Sequence, residues 1–368
     1  MTRIYVIRHA QAEGNLYRIS QGQSNSGITE RGWKQIEELQ KRFEETHIDA
    51  VYSSDLYRTC ATAGAIYLPK KLPLHKRKDL REIYVGDWEG MTWGDIARKY
   101  PEKMKNFSKH LDKWHVDGAE TPEQVRDRVV AAVREIAAEN AGKTVAVFSH
   151  GCAIRILLGT LEGMSIAELG QAPCGDNTAV SLIEADGDAL RVVFRDDNSH
   201  LIPGVENDGV CRDVGALKPG LYFEPIRLPE QREWLTRRTA EISKCCPCAA
   251  DVMGAADEAA ARRTLIAYSD ETPVGAVQMD EERDAAKNRG WISLYFLVPE
   301  FQGRSCGVQP LGQAVQFYRG LNRDELCIAL DPRNVRGETF FAQYGFHKTE
   351  ECVPAGRVWT KNICLPVL

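Results

Sequence analysis

No stretch of this chain is apolar and free of charge over the length that a bilayer requires, so a membrane span is not expected. Positive charge is not in excess either. With 47 Lys and Arg against 52 Asp and Glu, the formal net charge is −5. That excludes the basic footprint of a nucleic-acid protein. The cysteines number 11, odd and scattered over a long chain. They form no disulfide framework and read as reduced thiols in a cytoplasm. No targeting segment is visible, because Met1-Thr2-Arg3-Ile4-Tyr5-Val6-Ile7-Arg8-His9 runs directly into a buried type of strand. No internal repeat is present. What remains is an ordinary globular balance, 43% hydrophobic and 27% charged. The 368 residues are comfortable for two domains.

The chain divides at a stretch dense in turn signals, from Leu201 to Pro219, with Pro203-Gly204, Asn207-Asp208-Gly209 and Lys218-Pro219-Gly220. The reading is a domain over 1–203, a linker over 204–219 and a second domain over 220–368. In the first, short apolar runs at Ile4 to Ile7, Ile48 to Tyr52 and Val145 to Phe148 suit strands covered on both faces. Trp33, Ile36, Leu39 and Phe43 recur at helical spacing after Thr29, a predicted N-cap. Thr121-Pro122-Glu123 opens another helix, with Pro at its first position. The pattern is α/β, with helices on both faces of a mostly parallel sheet. Trp33, Trp88 and Trp93 read as core packing, and Lys70 to Lys78 as a solvated basic face.

In the second region, Leu221 to Leu228 reads as a strand and Pro229 onward as a helix. Thr264 to Tyr268 and Val274 to Met279 read as a hairpin, and Trp291 to Val298 as a long strand. Val308 to Tyr318 reads as a helix, Glu325 to Leu330 as a strand and Glu338 to Tyr344 as a short helix.

Ligands of open α/β sheets bind at the carboxyl ends of the strands. Strand one ends in Arg8-His9. Strand two ends in Ser53-Ser54, with Arg58 four residues on. Strand three ends in Ser149-His150-Gly151. Two arginines and two histidines are thus delivered to one sheet edge. Phosphoryl transfer needs such a set, because its catalysis is mainly positioning and charge stabilisation. Arginine offers a permanent charge and a planar fork that fits phosphate oxygens. A neutral imidazole can attack phosphorus. The leaving alkoxide takes a proton from an acid, for which Glu82 is the candidate.

These motifs resemble those of the histidine phosphatase (phosphoglycerate mutase-like) family. Arg8-His9-Ala10 matches its Arg-His-Gly, and Asn15 and Gln21-Gly22 match the Asn and Gln-Gly that follow. Ser54, Leu56, Arg58, Thr62 and Ala63 match Ser-x-Leu-x-Arg and Thr-Ala. Leu80 to Gly90 matches Leu-x-Glu with Gly-x-Trp-Glu-Gly, and Ser149-His150-Gly151 matches Ser-His-Gly. The resemblance implies a three-layer α/β/α domain. It makes His9 the nucleophile, with Arg8, Arg58 and His150 lining the phosphate pocket. Asn15, Gln21 and Gly22 add contacts, and Glu82 is the proton donor. The family uses no metal. The short stretch between Gly90 and Gly118-Ala119-Glu120-Thr121 resembles the phosphatase branch rather than the mutase branch. The substrate implied is a small phosphorylated metabolite. Phosphoglycerate mutase-type transfer is the alternative. Cys245-Cys246-Pro247-Cys248 has a Cys-x-x-Cys spacing, but no second ligand pair sits nearby, so no metal is expected.

In the second half, Val298-Pro299-Glu300-Phe301-Gln302-Gly303-Arg304-Ser305-Cys306-Gly307-Val308 resembles the loop of GNAT N-acetyltransferases, an α+β family. There a helix N-terminus with small residues around it receives the pyrophosphate of acetyl-coenzyme A. Asn334 to Phe346 resembles the family's second motif. The resemblance implies acetyl-coenzyme A held by Leu297, Val298, Gln302, Gly303, Arg304, Ser305, Gly307 and Asn334, and a small-molecule amine as acceptor. Ser305 stands where the loop usually has Gly. Phe341 stands where many members have a Tyr that protonates the leaving thiolate.

Overall fold

The computed structural model describes residues 1–205, 220–227, 229–243 and 263–365. The Cys245 to Cys248 spacing and most of the expected linker lie outside the described residues. The chain forms two compact units, one built on residues up to 205 and one on 220–365, with Thr92–Asp95 counted in the second.

The first unit holds β1 (Thr2–Arg8), α1 (Glu13–Tyr17), α2 (Glu30–Arg42), β2 (Ala50–Ser54), α3 (Tyr57–Lys70) and β3 (Leu74–Arg77). It continues with α4 (Pro122–Glu139), β4 (Thr144–Ser149), α5 (Gly151–Leu161), β5 (Val180–Asp186) and β6 (Ala189–Asp197). The sheet order is β3-β2-β4-β1-β5-β6, with the first four strands parallel and the last two antiparallel. The register pairs Arg8 with Ser149, and Ser53 with Phe148. The carboxyl ends of β1, β4 and β2 are therefore neighbours, and so are the three loops that follow them.

Local chemistry sets the helix starts. Thr29 accepts from the Gly32 N–H at 3.0 Å. Thr121 accepts from the Gln124 N–H, and the Gln124 side chain returns a bond from the Thr121 N–H at 2.8 Å. This is a capping box, and each such cap is worth about 1 kcal/mol. One sheet face packs Ile7, Val51 and Phe148 against Ile36, Leu39 and Phe43, with Ile66 of α3. Ile4 and Val6 are buried on the opposite face of β1, and α4 buries Val125, Val129 and Val133. Each such side chain contributes roughly 1.5–3 kcal/mol.

Trp33 is a correction. It is 46% exposed. Steps of three and four back from Leu39 fall on Ile36, Gln35 and Gly32, which are buried, and position 33 lies beside that stripe. Trp88 is buried and packs against Tyr100, Phe107 and Trp114. The second strand runs over Ala50–Ser54, later than its apolar run, because Ser53 and Ser54 pair within the sheet as polar but fully buried residues.

The second unit holds β7 (Tyr222–Pro225), α6 (Pro229–Ser243), β8 (Thr264–Ser269), β9 (Thr272–Asp280), β10 (Arg289–Leu297), α7 (Val308–Gly320), β11 (Glu325–Leu330), α8 (Val335–Gln343), β12 (His347–Val353) and β13 (Gly356–Asn362). The order is β12-β13-β11-β10-β9-β8-β7. The β10–β11 pair is parallel, with α7 between the two strands in sequence, and the other pairs are antiparallel. The strand read over Leu221 to Leu228 is shorter, at Tyr222–Pro225. The last helix starts at Val335 rather than Glu338, because the Asn334 side chain accepts from the Gly337 N–H at 2.9 Å and caps it. Among the described residues, no helix is long and apolar enough to cross a membrane.

Candidate active site

Three loops meet at the carboxyl edge of the first sheet. His9 follows β1 and is almost fully buried. Its Nδ1 lies 2.7 Å from the Ala10 carbonyl. A carbonyl only accepts, so Nδ1 carries the proton and Nε2 keeps its lone pair. Burial first, then the charges of Arg58 and Arg8, holds the His9 pKa well below its ordinary value. The ring is neutral.

His150 caps α5 with its ring centroid 5.2 Å from that of His9. Arg58 donates Nε–H to His150 Nδ1 at 3.1 Å, which leaves Nε2–H to donate to Ser54 Oγ at 2.9 Å. Burial, then Arg58, keeps this ring neutral too. Arg58 is itself 1% exposed, and burial pushes its pKa down to about 10. It stays cationic at neutral pH. Its other donors hold the Ser24 carbonyl at 2.8 Å and the Gly22 carbonyl at 2.7 Å. Arg8 donates to the Gly175 carbonyl at 2.5 Å.

The backbone of His9 is clasped from the far side. Asn177 donates its side-chain N–H to the His9 carbonyl at 2.8 Å, and the Thr178 N–H donates to the Arg8 carbonyl at 3.2 Å. Thr178 takes a φ of 62°, an outlier for a β-branched residue and a mark of local strain. His200 steadies it. Arg42 donates to His200 Nδ1 at 3.1 Å, so Nε2–H faces Thr178 Oγ1 at 3.2 Å.

Glu82 reaches the first turn of α5. Its carboxylate accepts from the N–H groups of Cys152 at 3.0 Å, Ala153 at 2.9 Å and its neighbour Ile83 at 2.9 Å. A helix N-terminus favours a carboxylate in this position. Asn15 turns inward on α1, with its Oδ1 accepting from the Ala12 N–H at 3.0 Å. With its amide oriented to satisfy its donors, the Gln21 oxygen accepts from the Gly14 N–H at 2.8 Å and the Asn15 N–H at 3.1 Å. Gln21 thus braces α1. Gly22 has φ +44° and no room for a side chain, because a Cβ there would lie 1.7 Å from Glu89 Oε1. Ala10 N–H donates to Thr62 Oγ1 at 2.9 Å, and its methyl is fully buried.

In the second unit, the loop after β10 bends through Gly303 at φ +76° and Ser305 at φ +57° before Gly307 opens α7. Ser305 therefore holds a backbone shape that glycine adopts freely. Gln302 folds back, donating to the Leu297 carbonyl at 2.7 Å, and Arg304 is exposed. Val298 is buried, and its N–H donates to the Val274 carbonyl at 2.8 Å. The parallel β10–β11 ladder runs from Arg289–Glu325 to Ile292–Ile328, while β10 continues to Leu297. Phe341 is 3% exposed and sits among the rings of Tyr295, Phe340 and Phe346. Among the described residues, no group of three or more His, Cys, Asp or Glu is placed to hold a metal ion.

The model of the histidine phosphatase superfamily (branch 1) matches residues 4–198. The chain belongs to that superfamily. Its histidine phosphatase half is 31% identical to phosphoserine phosphatase 1 of Hydrogenobacter thermophilus over 186 residues, 50% of this chain and 88% of that protein. It is 34% identical to the metal-independent phosphoserine phosphatase of Arabidopsis thaliana over 163 residues, 43% of this chain and 67% of that protein. Among solved structures, it superposes on Bacillus stearothermophilus YhfR with a TM-score of 0.53 at 30% identity, covering 54% of this chain and 99% of that one. The model of the acetyltransferase (GNAT) family matches residues 228–346, so a GNAT domain follows the histidine phosphatase domain.

Two residues of the histidine phosphatase site escaped the sequence reading. Arg128 on α4 donates to the carbonyls of Asp79 at 2.9 Å, Arg81 at 2.7 Å and Glu82 at 3.0 Å, and pairs with both Glu120 oxygens. Three of its N–H groups pin the segment that carries Glu82, and two hold Glu120. Glu89 accepts from the N–H groups of Gln23 at 2.8 Å and Ser24 at 3.0 Å, fixing the loop whose carbonyls hold Arg58. Burial pushes the Glu89 pKa up. Glu89 stood in the quoted Trp-Glu-Gly motif. Nothing local marks Arg128, since the three carbonyls it holds lie 46 to 49 residues away.

Proposed function

We propose that the first domain, over 1–203, is a metal-independent phosphomonoester hydrolase that works through a phosphohistidine on His9. The observation that carries this reading is the neutral His9, its Nε2 lone pair left available beside two buried arginines. Arg8 and Arg58 hold the phosphoryl oxygens, as their planar forks suit. His9 Nε2 attacks phosphorus, and the bond to the ester oxygen breaks. Glu82 gives that oxygen its proton. As the negative charge appears on Glu82, the N–H groups of Ile83, Cys152 and Ala153 receive it. Water then attacks the phosphohistidine, Glu82 takes the water's proton, and phosphate leaves with His9 restored. His150, held by Arg58 and Ser54, donates its Nε2–H to a phosphoryl oxygen once the substrate displaces Ser54 Oγ.

The relatives named phosphoserine phosphatases support a small carboxylated phosphomonoester as substrate. The test is phosphate release over a panel of phosphorylated metabolites, with His9→Ala as the blank. Release from one compound class, lost in the variant, is the expected result. Isomerised product without net phosphate would instead favour a mutase.

For the second domain, over 220–368, we propose binding of acetyl-coenzyme A and transfer to a small amine. A built cradle supports the fit. Gly303 and Ser305 turn at positive φ before a 13-residue helix, whose N-terminus suits a pyrophosphate. Gln302, Gly303, Arg304, Ser305 and Gly307 would hold it, with Leu297 and Val298 along the strand end, and Asn334 caps α8. The thioester supplies an activated acetyl group, while the protein's part is to bind, orient and exclude water. Phe341 favours a second reading, binding without transfer, because a phenyl ring enclosed by other rings gives no proton. Free thiol released from acetyl-coenzyme A with an amine panel separates the two. An amine-bearing phosphorylated metabolite would serve both domains through one scaffold.

A further inference from the structure

Arg8, Arg58 and Arg128 all donate to backbone carbonyls, but Arg155 is different. It lies on α5, five residues after His150, and is 5% exposed. Among the described residues its Nε has no hydrogen-bond partner. Its Nη2 faces only the Cys152 sulfur, at 3.8 Å. Among the described residues no carboxylate is hydrogen-bonded to it. A buried guanidinium whose donors lack a hydrogen-bonded anion has capacity to spare, which a ligand's anion can fill.

Its surroundings belong to the phosphate site. Side chains of helical residues lean toward the helix N-terminus, so Arg155 projects back toward the turn that His150 caps. Cys152, its sulfur partner, gives its N–H to Glu82. Burial opposes the Arg155 charge, but Cys152, Cys174 and the Glu82 carboxylate draw on it and hold its pKa above the ordinary value. Cys174 in turn lies 3.8 Å from the Arg8 guanidinium and 3.9 Å from the Gly151 carbonyl. Arg155 thus touches the sulfur of Cys152, and Arg8 that of Cys174. Thiols compete poorly with a carboxylate for a guanidinium.

We propose that Arg155 is a specificity residue, which receives a second anionic group of the substrate, a carboxylate, while Arg8 and Arg58 hold the phosphoryl group. The proposal rests on the phosphatase reading above. It assigns the domain a phosphomonoester with a carboxylate a few bonds from the ester oxygen.

The test compares Arg155→Gln with the unaltered full chain on O-phosphoserine, phosphoethanolamine and p-nitrophenyl phosphate. Phosphoethanolamine is the same ester without the carboxylate. The expected result is a KM for O-phosphoserine raised at least tenfold in the variant, with kcat/KM for the other two within twofold. An equal loss on all three, or no change on any, overturns the proposal. If the Gln variant does not fold, Arg155→Lys keeps the charge and loses the fork. It should then shrink the preference for O-phosphoserine over phosphoethanolamine at least threefold, and an unchanged preference overturns the assignment. Turnover of p-nitrophenyl phosphate that His9→Ala removes keeps the phosphatase reading separate. No turnover of any ester by the unaltered chain overturns both.

Discussion

Arg58 donates its Nε–H to Nδ1 of His150 at 3.1 Å, with both side chains buried. One bond does two things here. It fixes the His150 tautomer, and it aligns the guanidinium so that its two Nη groups meet the carbonyls of Gly22 and Ser24. Lysine has neither the Nε donor nor the fork. Arg58→Lys should therefore lower kcat/KM by about 10²–10³-fold, the size of one lost charge-stabilising donor. The thermal midpoint should fall as well, since His150 Nδ1 and the carbonyls of Gly22 and Ser24 each lose a donor. Steady-state kinetics with near-normal activity in the variant would remove Arg58 from the site.

Three histidines, His9 and His150 buried and His200 partly so, make stability depend on pH in a definite direction. His9, His150 and His200 all have folded-state pKa values below 6.5, with His200 at about 4. Below pH 6.5 the unfolded chain takes up protons that the folded chain refuses, so stability falls as pH falls. The window opens at 6.5 and, for His200, runs down to about 4. Since His200 is partly exposed, its share is at most about 3 kcal/mol. Urea unfolding at pH 7, 6 and 5 should show midpoints dropping stepwise, and His200→Gln should flatten the slope. A flat profile in the unaltered chain would mean that these rings are not held neutral.

Arg128 and Glu82 predict a dependence on the leaving group. Proton donation matters for an alkyl ester, whose alkoxide leaves poorly, and hardly at all for p-nitrophenolate. Glu82→Gln should cut kcat/KM on O-phosphoserine by about 10²–10⁴-fold while sparing kcat/KM on p-nitrophenyl phosphate, because the later water attack that Glu82 also serves is shared by both esters. Arg128→Ala frees the carbonyls of Asp79, Arg81 and Glu82, so Glu82 loses its placement. It should show the same selectivity, weaker by about tenfold, because a misplaced acid is not an absent one. Equal losses on both esters would make Arg128 a support of the fold alone.

The contrast between His9 and Arg128 shows what the chain's order revealed. Arg8-His9, Ser54 with Arg58, and Ser149-His150 each end a short apolar run. Parallel pairing of those runs brings the three loops together without further information. Arg128, Glu89 and Arg155 act on groups far away in sequence, or through the lack of a partner. Neither can be read from spacing. The β12–β13 hairpin was missed for another reason. His347–Val353 carries charged residues and has no fully buried position, so it lacks the apolar alternation that announces a strand. Trp33 misled in the opposite sense, since an aromatic at helical spacing lay just off the buried stripe.

Ser305 gives the last test, in the second domain. Its φ of +57° is a conformation that costs a side-chain residue roughly 1 kcal/mol relative to glycine. The side chain is exposed, so removing it costs no buried contact. Against this, glycine adds freedom to the unfolded chain, worth about 0.4–1 kcal/mol. The two nearly cancel, and Ser305→Gly should leave the thermal midpoint within a few degrees. Binding responds differently. If the backbone of 303–307 approaches a pyrophosphate, removal of the Ser305 side chain lets it come closer at no cost in fold. The variant should bind coenzyme A at least as tightly as the unaltered chain, measured by calorimetry. Arg304→Ala should bind it several-fold more weakly, because a nearby cation adds to the attraction of the helix N-terminus. Weaker binding in Ser305→Gly would show that the hydroxyl itself is a ligand contact, and that this loop replaced a glycine's openness with a donor.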